Sequence, residues 1–217
     1  MPAATPLHPT AIRDTLSVPR SETYLKATGD LDSALALYGW NARVAGMLLV
    51  PAHLAEVAVR NAADMALTKV YGYRWPWNST FERSLPDPAR GFSPRRELRT
   101  VREHHTTTGK VIADLKFAFW QRLFTSRHDE RLWNDQILTL FPNSGLTAPT
   151  TLRDRIYGDL EVIRTLRNRV AHHEPVFNRD LQEDLERMLE LTKMRCAATG
   201  SWVSAMEDVS RMLRDRP

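Results

Sequence analysis

The sequence predicts an all-α fold, a single-domain helical bundle, on three observations. No segment alternates polar and apolar residues with period two over a useful length, so no strand is expected. Apolar residues recur instead at three- and four-residue spacing through most of the chain. Glycine is scarce, nine in 217 residues, while alanine, leucine and arginine, all good helix formers, are abundant.

The elements follow in order. Residues 1–20 carry four prolines and little periodicity, which predicts a flexible N-terminal arm ahead of a helical domain over 21–217. Asp30 is placed to cap a helix in which Leu31, Ala34, Leu35, Tyr38, Ala42 and Ala45 recur at helical spacing. Pro51 should kink or break that helix after Val50. The same period resumes to Gly72, with Leu54, Val57, Ala58 and Met65 as its stripe and Glu56, Arg60 and Asn61 on the same helix. Residues 73–94, rich in aromatics and proline, predict a long connection with one short helix. Ser93 and Pro94 then read as an N-cap and a first helical residue, opening a basic helix. Gly109 separates it from an apolar helix over 111–124, and another follows over 127–141, ended by Pro142. A helix from about 151 to 174 should stop at Pro175, because the residue before proline avoids helical angles. Two more helices complete the chain.

Composition narrows the class. Apolar content of 42% and charged content of 26% are those of a folded globular chain, which argues against bulk disorder. Thirty basic and 26 acidic residues leave a net charge of +4, which permits a polyanionic partner without requiring one. Cys196 is the single cysteine, so no intrachain disulfide and no cysteine-based metal site can form. The N-terminus lacks the basic start and apolar core of a signal peptide. The most apolar stretch, residues 44–59, contains Pro51, His53 and Glu56 and is too short and polar for a bilayer span. A cytoplasmic protein with no membrane partner is the expectation.

The densest chemistry lies in LRNRVAHHEPVF, residues 166–177. Ile156, Leu160, Ile163 and Val170 form a core stripe, with Leu166 beside it. Asn168 and His172 are four apart, as are Arg169 and His173, so each pair can meet on a helix. Arg167 lies off that face, within reach of a shared pocket only through its long side chain. Three readings stand open. The block is a solvated helix end with basic residues in its last turn. Or it holds a metal, although adjacent histidines point about 100° apart and lack His-x-x-x-His spacing. The pair after Glu103, His104 and His105, meets the same objection. Or it cleaves RNA without metal. RNA carries its own nucleophile, the 2′-hydroxyl; histidine suits proton transfer, arginine suits the phosphate charge of the transition state, and asparagine can orient either.

The string Arg167-Asn168-Arg169-Val170-Ala171-His172 resembles the Arg-x4–6-His signature of the HEPN superfamily. Its continuation through Phe177 resembles the Abi-like (abortive infection, AbiD/AbiF-type) branch. Tyr38-Gly39-Trp40-Asn41, Glu56 with Arg60 and Asn61, Leu115 through Trp120, and Leu132-Trp133 through Phe141-Pro142 are similar to further blocks of that branch, in order, over about residues 20–215. Ala118 stands where a glycine is expected. The resemblance implies a HEPN-type helical bundle and a metal-independent endoribonuclease of a prokaryotic antiphage or toxin-like system, without cofactor. It implies a homodimer whose two motifs face each other in one composite site. Carried onto this chain, Arg167 and His172 are the catalytic pair and Asn168 their polar support. The signature does not fix the role of His173, which stands with Arg169, Glu56, Arg60 and Asn61 as a supporting or RNA-binding candidate; for Glu56 and Arg60, four apart, a structural ion pair is the competing reading. The basic helix at residues 95–102 suggests a surface for a restraining RNA, and a neutralising RNA or protein partner belongs to the same expectation. A non-catalytic RNA- or nucleotide-binding module, or a protein–protein adaptor in which the motif only caps a helix, remains the alternative.

Overall fold

The computed structural model describes residues 8–217. Among them there are helices and turns and no strand, so the protein is all-α.

Its axis is α3, Leu31–Tyr71, a single helix of 41 residues. Asp30 caps it as expected, accepting from the Ser33 backbone N–H at 2.9 Å. Pro51 does not end it. A proline inside a helix leaves the carbonyl four residues earlier, here of Met47, without its donor. Pro51 is buried, and Leu48, Ala52 and Ala55 around it are at most 1% exposed. Packing of that apolar face on both sides of the break carries the helix through it. By length and composition alone α3 could also cross a membrane, a test that core helices pass as well.

The N-terminal stretch departs from expectation. Pro9–Leu16 forms α1 and Val18–Thr28 forms α2, where a loose arm is expected; residues 1–7 of that arm lie outside the described residues. Pro9 and Pro19 occupy the first turns of these helices, where a missing N–H costs nothing, so they start helices rather than break them. Both helices lie against α3.

The connection after α3 holds a short turn at Trp75–Trp77 and α4, Ser79–Ser84. Helix α5, Pro94–Glu103, is capped by Ser93, whose Oγ accepts from Arg96 N at 3.1 Å. The expected apolar helix over 111–124 is two helices, α6, Thr108–Asp114, and α7, Phe117–Leu123. Gly109 lies inside α6, and the break falls at Leu115, which is extended. The next expected helix is broken too. It consists of a tight 3-10 turn, Ser126–His128, a wide π-turn, Asp129–Trp133, and the single turn α8, Ile137–Leu140. Here tertiary burial outweighs helical period: Trp120, Leu123, Phe124, Trp133 and Phe141 are all at most 1% exposed, and Phe124 stacks on Trp133 with centroids 4.3 Å apart.

Helix α9, Pro149–Ala171, carries the motif. Helix α10, Leu181–Arg195, is capped by Asp180 and packs against α3 and α9. Helices α11, Ala197–Met206, and α12, Val209–Arg214, close the chain. A Cβ on Gly200 of α11 would sit 2.7 Å from the Lys193 Cα, so glycine is what lets α11 lie on α10. One hydrophobic cluster runs from Tyr24 to Val209; Ile156, Leu160 and Ile163 of the expected α9 stripe enter it together with Leu166, while Val170 is half-buried and packs against it.

Candidate functional site

The motif sits where α9 stops. The helix ends at Ala171, three residues before the position expected from Pro175. His172 is the half-helical C-cap, and His173 adopts a left-handed conformation with φ of 56°. The Glu174 N–H donates to the Arg169 carbonyl at 2.8 Å and the His173 N–H to the Val170 carbonyl at 3.1 Å. These two bonds are the closure usually made with glycine in the left-handed position. Pro175 forbids helical angles at Glu174, and the closure satisfies the last carbonyls. His173 and Glu174 are therefore not helical, and the four-residue spacing of Arg169 and His173 does not place them together.

Arg169 is occupied by this turn. Its Nη2 donates to the Pro175 carbonyl at 2.8 Å, and its Nε lies 3.6 Å from Glu174 Oε2. Beyond Pro175 the chain turns inward and Asn41, on α3, holds it. Asn41 is 6% exposed, and its Oδ1 accepts from the backbone N–H groups of Val176 at 2.8 Å and Phe177 at 3.0 Å. From the other side Arg20 of α2 donates to the His173 carbonyl at 2.9 Å.

Arg167 turns toward α3. Its Nη1 lies 3.1 Å from Glu56 Oε2, and its guanidinium carbon stands 5.1 Å from the Phe117 ring centroid. Glu56 thus pairs with the motif arginine and not with Arg60. Among the described residues Arg60 makes no ion pair, and Asn61 is exposed. Asn168 and His172 are exposed as well. The His172 backbone N–H donates to the Asn168 carbonyl at 3.0 Å, and no side-chain hydrogen bond joins them among the described residues.

A groove of about 750 Å³ runs beside the motif, lined by Arg167, Asn168 and His173 from the motif and by Arg20, Tyr24, Tyr38 and Asn41 opposite. His172 opens instead onto an adjoining cavity of about 270 Å³. Arg20, Tyr24, Tyr38, His173 and Glu174 line both, so the two are neighbours. The structure thus brings Arg167 and Asn168 to one groove, with Glu56 holding Arg167 and His172 opening onto the cavity beside it. Burial pushes the Tyr24 hydroxyl up to about 12, with Tyr38 adding to the rise. Tyr24 therefore stays protonated and uncharged at neutral pH.

Arg20, Asn41 and Phe117 complete this surroundings, and none stood out as a site residue in the sequence. Asn41 carries a local signal, a polar residue within an apolar helical stripe. Arg20 carries none, since its partner is far along the chain. The arginines of the basic helix α5 are engaged within the protein. Arg95 donates to carbonyls of Glu82, Arg83 and Leu85, Arg96 pairs with Asp87 at 2.9 Å, and Arg99 and Arg102 share Glu82 at 2.5 and 2.6 Å. Burial opposes the Glu82 charge, yet the two arginines hold its carboxyl below the usual range.

Among the described residues no group of three or more His, Cys, Asp or Glu is placed to hold a metal ion. His105 pairs with Asp114 at 3.0 Å, and His104 Nδ1 lies 2.8 Å from the Thr100 carbonyl. Compared with protein-family models, with curated proteins and with solved structures, the chain matches none.

Proposed function

We propose that the protein is a metal-independent endoribonuclease of a prokaryotic antiphage, abortive-infection or toxin-like system, with Arg167 and His172 as its catalytic residues. The observation that carries the reading is the Glu56–Arg167 pair, because it fixes the guanidinium of an arginine that lines an open groove. A cation held in place can stabilise the phosphate charge that grows in the transition state without reorganising. In the proposed reaction a base removes the 2′-hydroxyl proton and the freed oxygen attacks the adjacent phosphorus. The 5′-oxygen leaves with a proton from an acid, giving a 2′,3′-cyclic phosphate and a 5′-hydroxyl. His172, exposed at the helix end, is the acid–base residue, and Asn168 is its polar support.

Two proton transfers ask for a second group. In the proposed homodimer the same histidine of a second copy supplies it. The exposed Leu49 and Val50 on α3, 43% and 44% exposed, offer an apolar surface beside the groove for that contact. RNA cleavage in the presence of EDTA, lost in both His172→Ala and Arg167→Ala, is the expected result, with a cyclic phosphate on the product and a dimer by light scattering. Cleavage that survives both substitutions, or that EDTA abolishes, overturns the reading.

A second reading has one observation in its favour. Within one chain Arg167 and His172 line different cavities. A non-catalytic RNA- or nucleotide-binding module, acting through a partner RNA or protein, needs no contact between them. Tight binding with RNA recovered intact after long incubation would establish it.

A further inference from the structure

Many arginines are engaged by a carboxylate or a row of carbonyls. Arg153 grips Asp129, Arg155 and Arg187 share the fully buried Asp159, and Arg179 holds Asp184. One cluster is different. A cavity of about 500 Å³, apart from the motif groove, is lined by Thr80, Arg83, Ser84, Arg127, Glu130 and Arg131.

The carboxylates next to these arginines in sequence are engaged elsewhere. Glu82, beside Arg83, is taken by Arg99 and Arg102 from α5. Asp129, between Arg127 and Arg131, is taken by Arg153 from α9, at 2.8 and 3.1 Å to its two oxygens. Glu130 is the one acid at the cavity, so its lining keeps an excess of two positive charges. Among the described residues, the polar contact of these three guanidinium groups is a 3.5 Å bond from Arg127 to the Ser84 carbonyl. The uncompensated field is felt beneath. His128 is 3% exposed, and burial first, then Arg127 and Arg131, push its imidazole down to about 4.

The side chains are free and their anchors are rigid. Asn78 caps α4 through Thr80 N and Phe81 N, and Phe81 is 1% exposed. Arg127 and Arg131 alternate along the 3-10 and π turns with the buried His128, Leu132 and Trp133, and Trp133 donates from Nε1 to the Leu123 carbonyl at 2.7 Å. The Ser84 hydroxyl is spent on the Phe81 carbonyl, which leaves Thr80 as a neutral donor. No apolar or aromatic side chain lines the cavity, so it offers no aromatic platform to a base and no pocket to a hydrophobic peptide. Guanidinium forks match phosphate oxygens, and charge with hydrogen bonding alone is how proteins hold a nucleic-acid backbone.

We propose that Arg83, Arg127 and Arg131 form a second anion site, separate from the Arg167 groove, that holds the phosphate backbone of a single-stranded RNA. It anchors the strand through charge and reads no sequence. The choice of RNA rests on the reading given under Proposed function, whereas the phosphate chemistry rests on the cluster itself.

The test measures binding of a fluorescently labelled single-stranded RNA by anisotropy, at several salt concentrations. It uses the full chain carrying His172→Ala, so that no cutting intervenes. Adding Arg83→Gln, Arg127→Gln and Arg131→Gln together should weaken binding about tenfold or more at low salt. It should also flatten the dependence of log K on log salt by about 2, from ~0.7 per lost phosphate contact on a single strand. Glu130→Gln should tighten binding, a gain that misfolding cannot produce. Wild-type affinity and slope in the triple variant overturn the site, as does binding of pyrophosphate here with no binding of RNA. The two readings fail separately. RNA held through these arginines by a protein that never cuts it removes the nuclease and keeps the site. Cutting by the triple variant, with His172 restored, at unchanged KM removes the site and keeps the nuclease.

Discussion

Glu56 on α3 and Arg167 on α9 form an ion pair, Oε2 to Nη1 at 3.1 Å, that ties the arginine of the motif to the central helix. Arg167 is about one third exposed and Glu56 is nearly covered, so water screens the pair and its share in stability is about 0.5–1 kcal/mol. Its consequence is therefore orientation. Glu56→Gln should leave the denaturation midpoint nearly unchanged and lower kcat for RNA cleavage roughly tenfold, about 1.4 kcal/mol of transition-state stabilisation. A large loss of stability with normal kcat in the surviving protein would assign Glu56 to the scaffold alone.

His173 holds φ of 56°, where a side chain costs energy and glycine does not. His173→Gly should raise stability by about 1 kcal/mol, and His173→Val should lower it by more. Urea unfolding of the three proteins reads this directly. If His173→Gly also cuts RNA at the wild-type rate, the backbone is what the position contributes. A fall in rate with raised stability gives the imidazole a role at the groove.

Asn41 accepts two buried backbone N–H groups through one oxygen. Asn41→Leu orphans both and should cost about 1–3 kcal/mol for each donor left without a partner. Asn41→Asp keeps an acceptor there and should cost less. Equal midpoints for the two variants would show that the acceptor is not what matters.

His128 gives the fold a pH dependence whose sign is set by its depressed pKa. Burial, then Arg127 and Arg131, hold it at about 4, against an ordinary value of 6.5. Above that value neither state binds the proton and stability is constant. Below it the unfolded chain takes a proton that the fold refuses, so stability falls as pH drops toward 4. The loss is ~1.4 kcal/mol per pH unit, about 3 kcal/mol in all. His128→Leu should remove that part of the slope and also the buried Nε2 that lacks a partner. Urea midpoints at pH 7 and pH 4.5 compare the two proteins, and an identical fall in both would clear His128 of the effect.

Local patterns in the sequence were enough for much of the fold. Asp30 and Ser93 announce helix starts because a capping side chain acts within three residues of itself. The stripe from Ile156 to Leu166 announces a core face because helical period is itself local. The same local logic misread Pro9 and Pro19 as marks of a loose arm and Pro51 as a helix end. It also read the apolar run at 111–124 as one helix, whereas the chain is extended at the buried Leu115.

By itself, then, the sequence determined that the protein is helical, where α3, α5 and α9 begin, and that residues 166–177 concentrate polar and titratable side chains. Which of those groups act together was decided only by tertiary structure. Glu56 could pair with Arg60 one turn away or with Arg167 across the bundle, and it pairs with Arg167. Asp129 sits between Arg127 and Arg131 in the chain yet serves Arg153. Spacing along a helix limits which side chains can meet, but a carboxylate goes to the cation that packing brings into contact with it, and packing belongs to the whole chain.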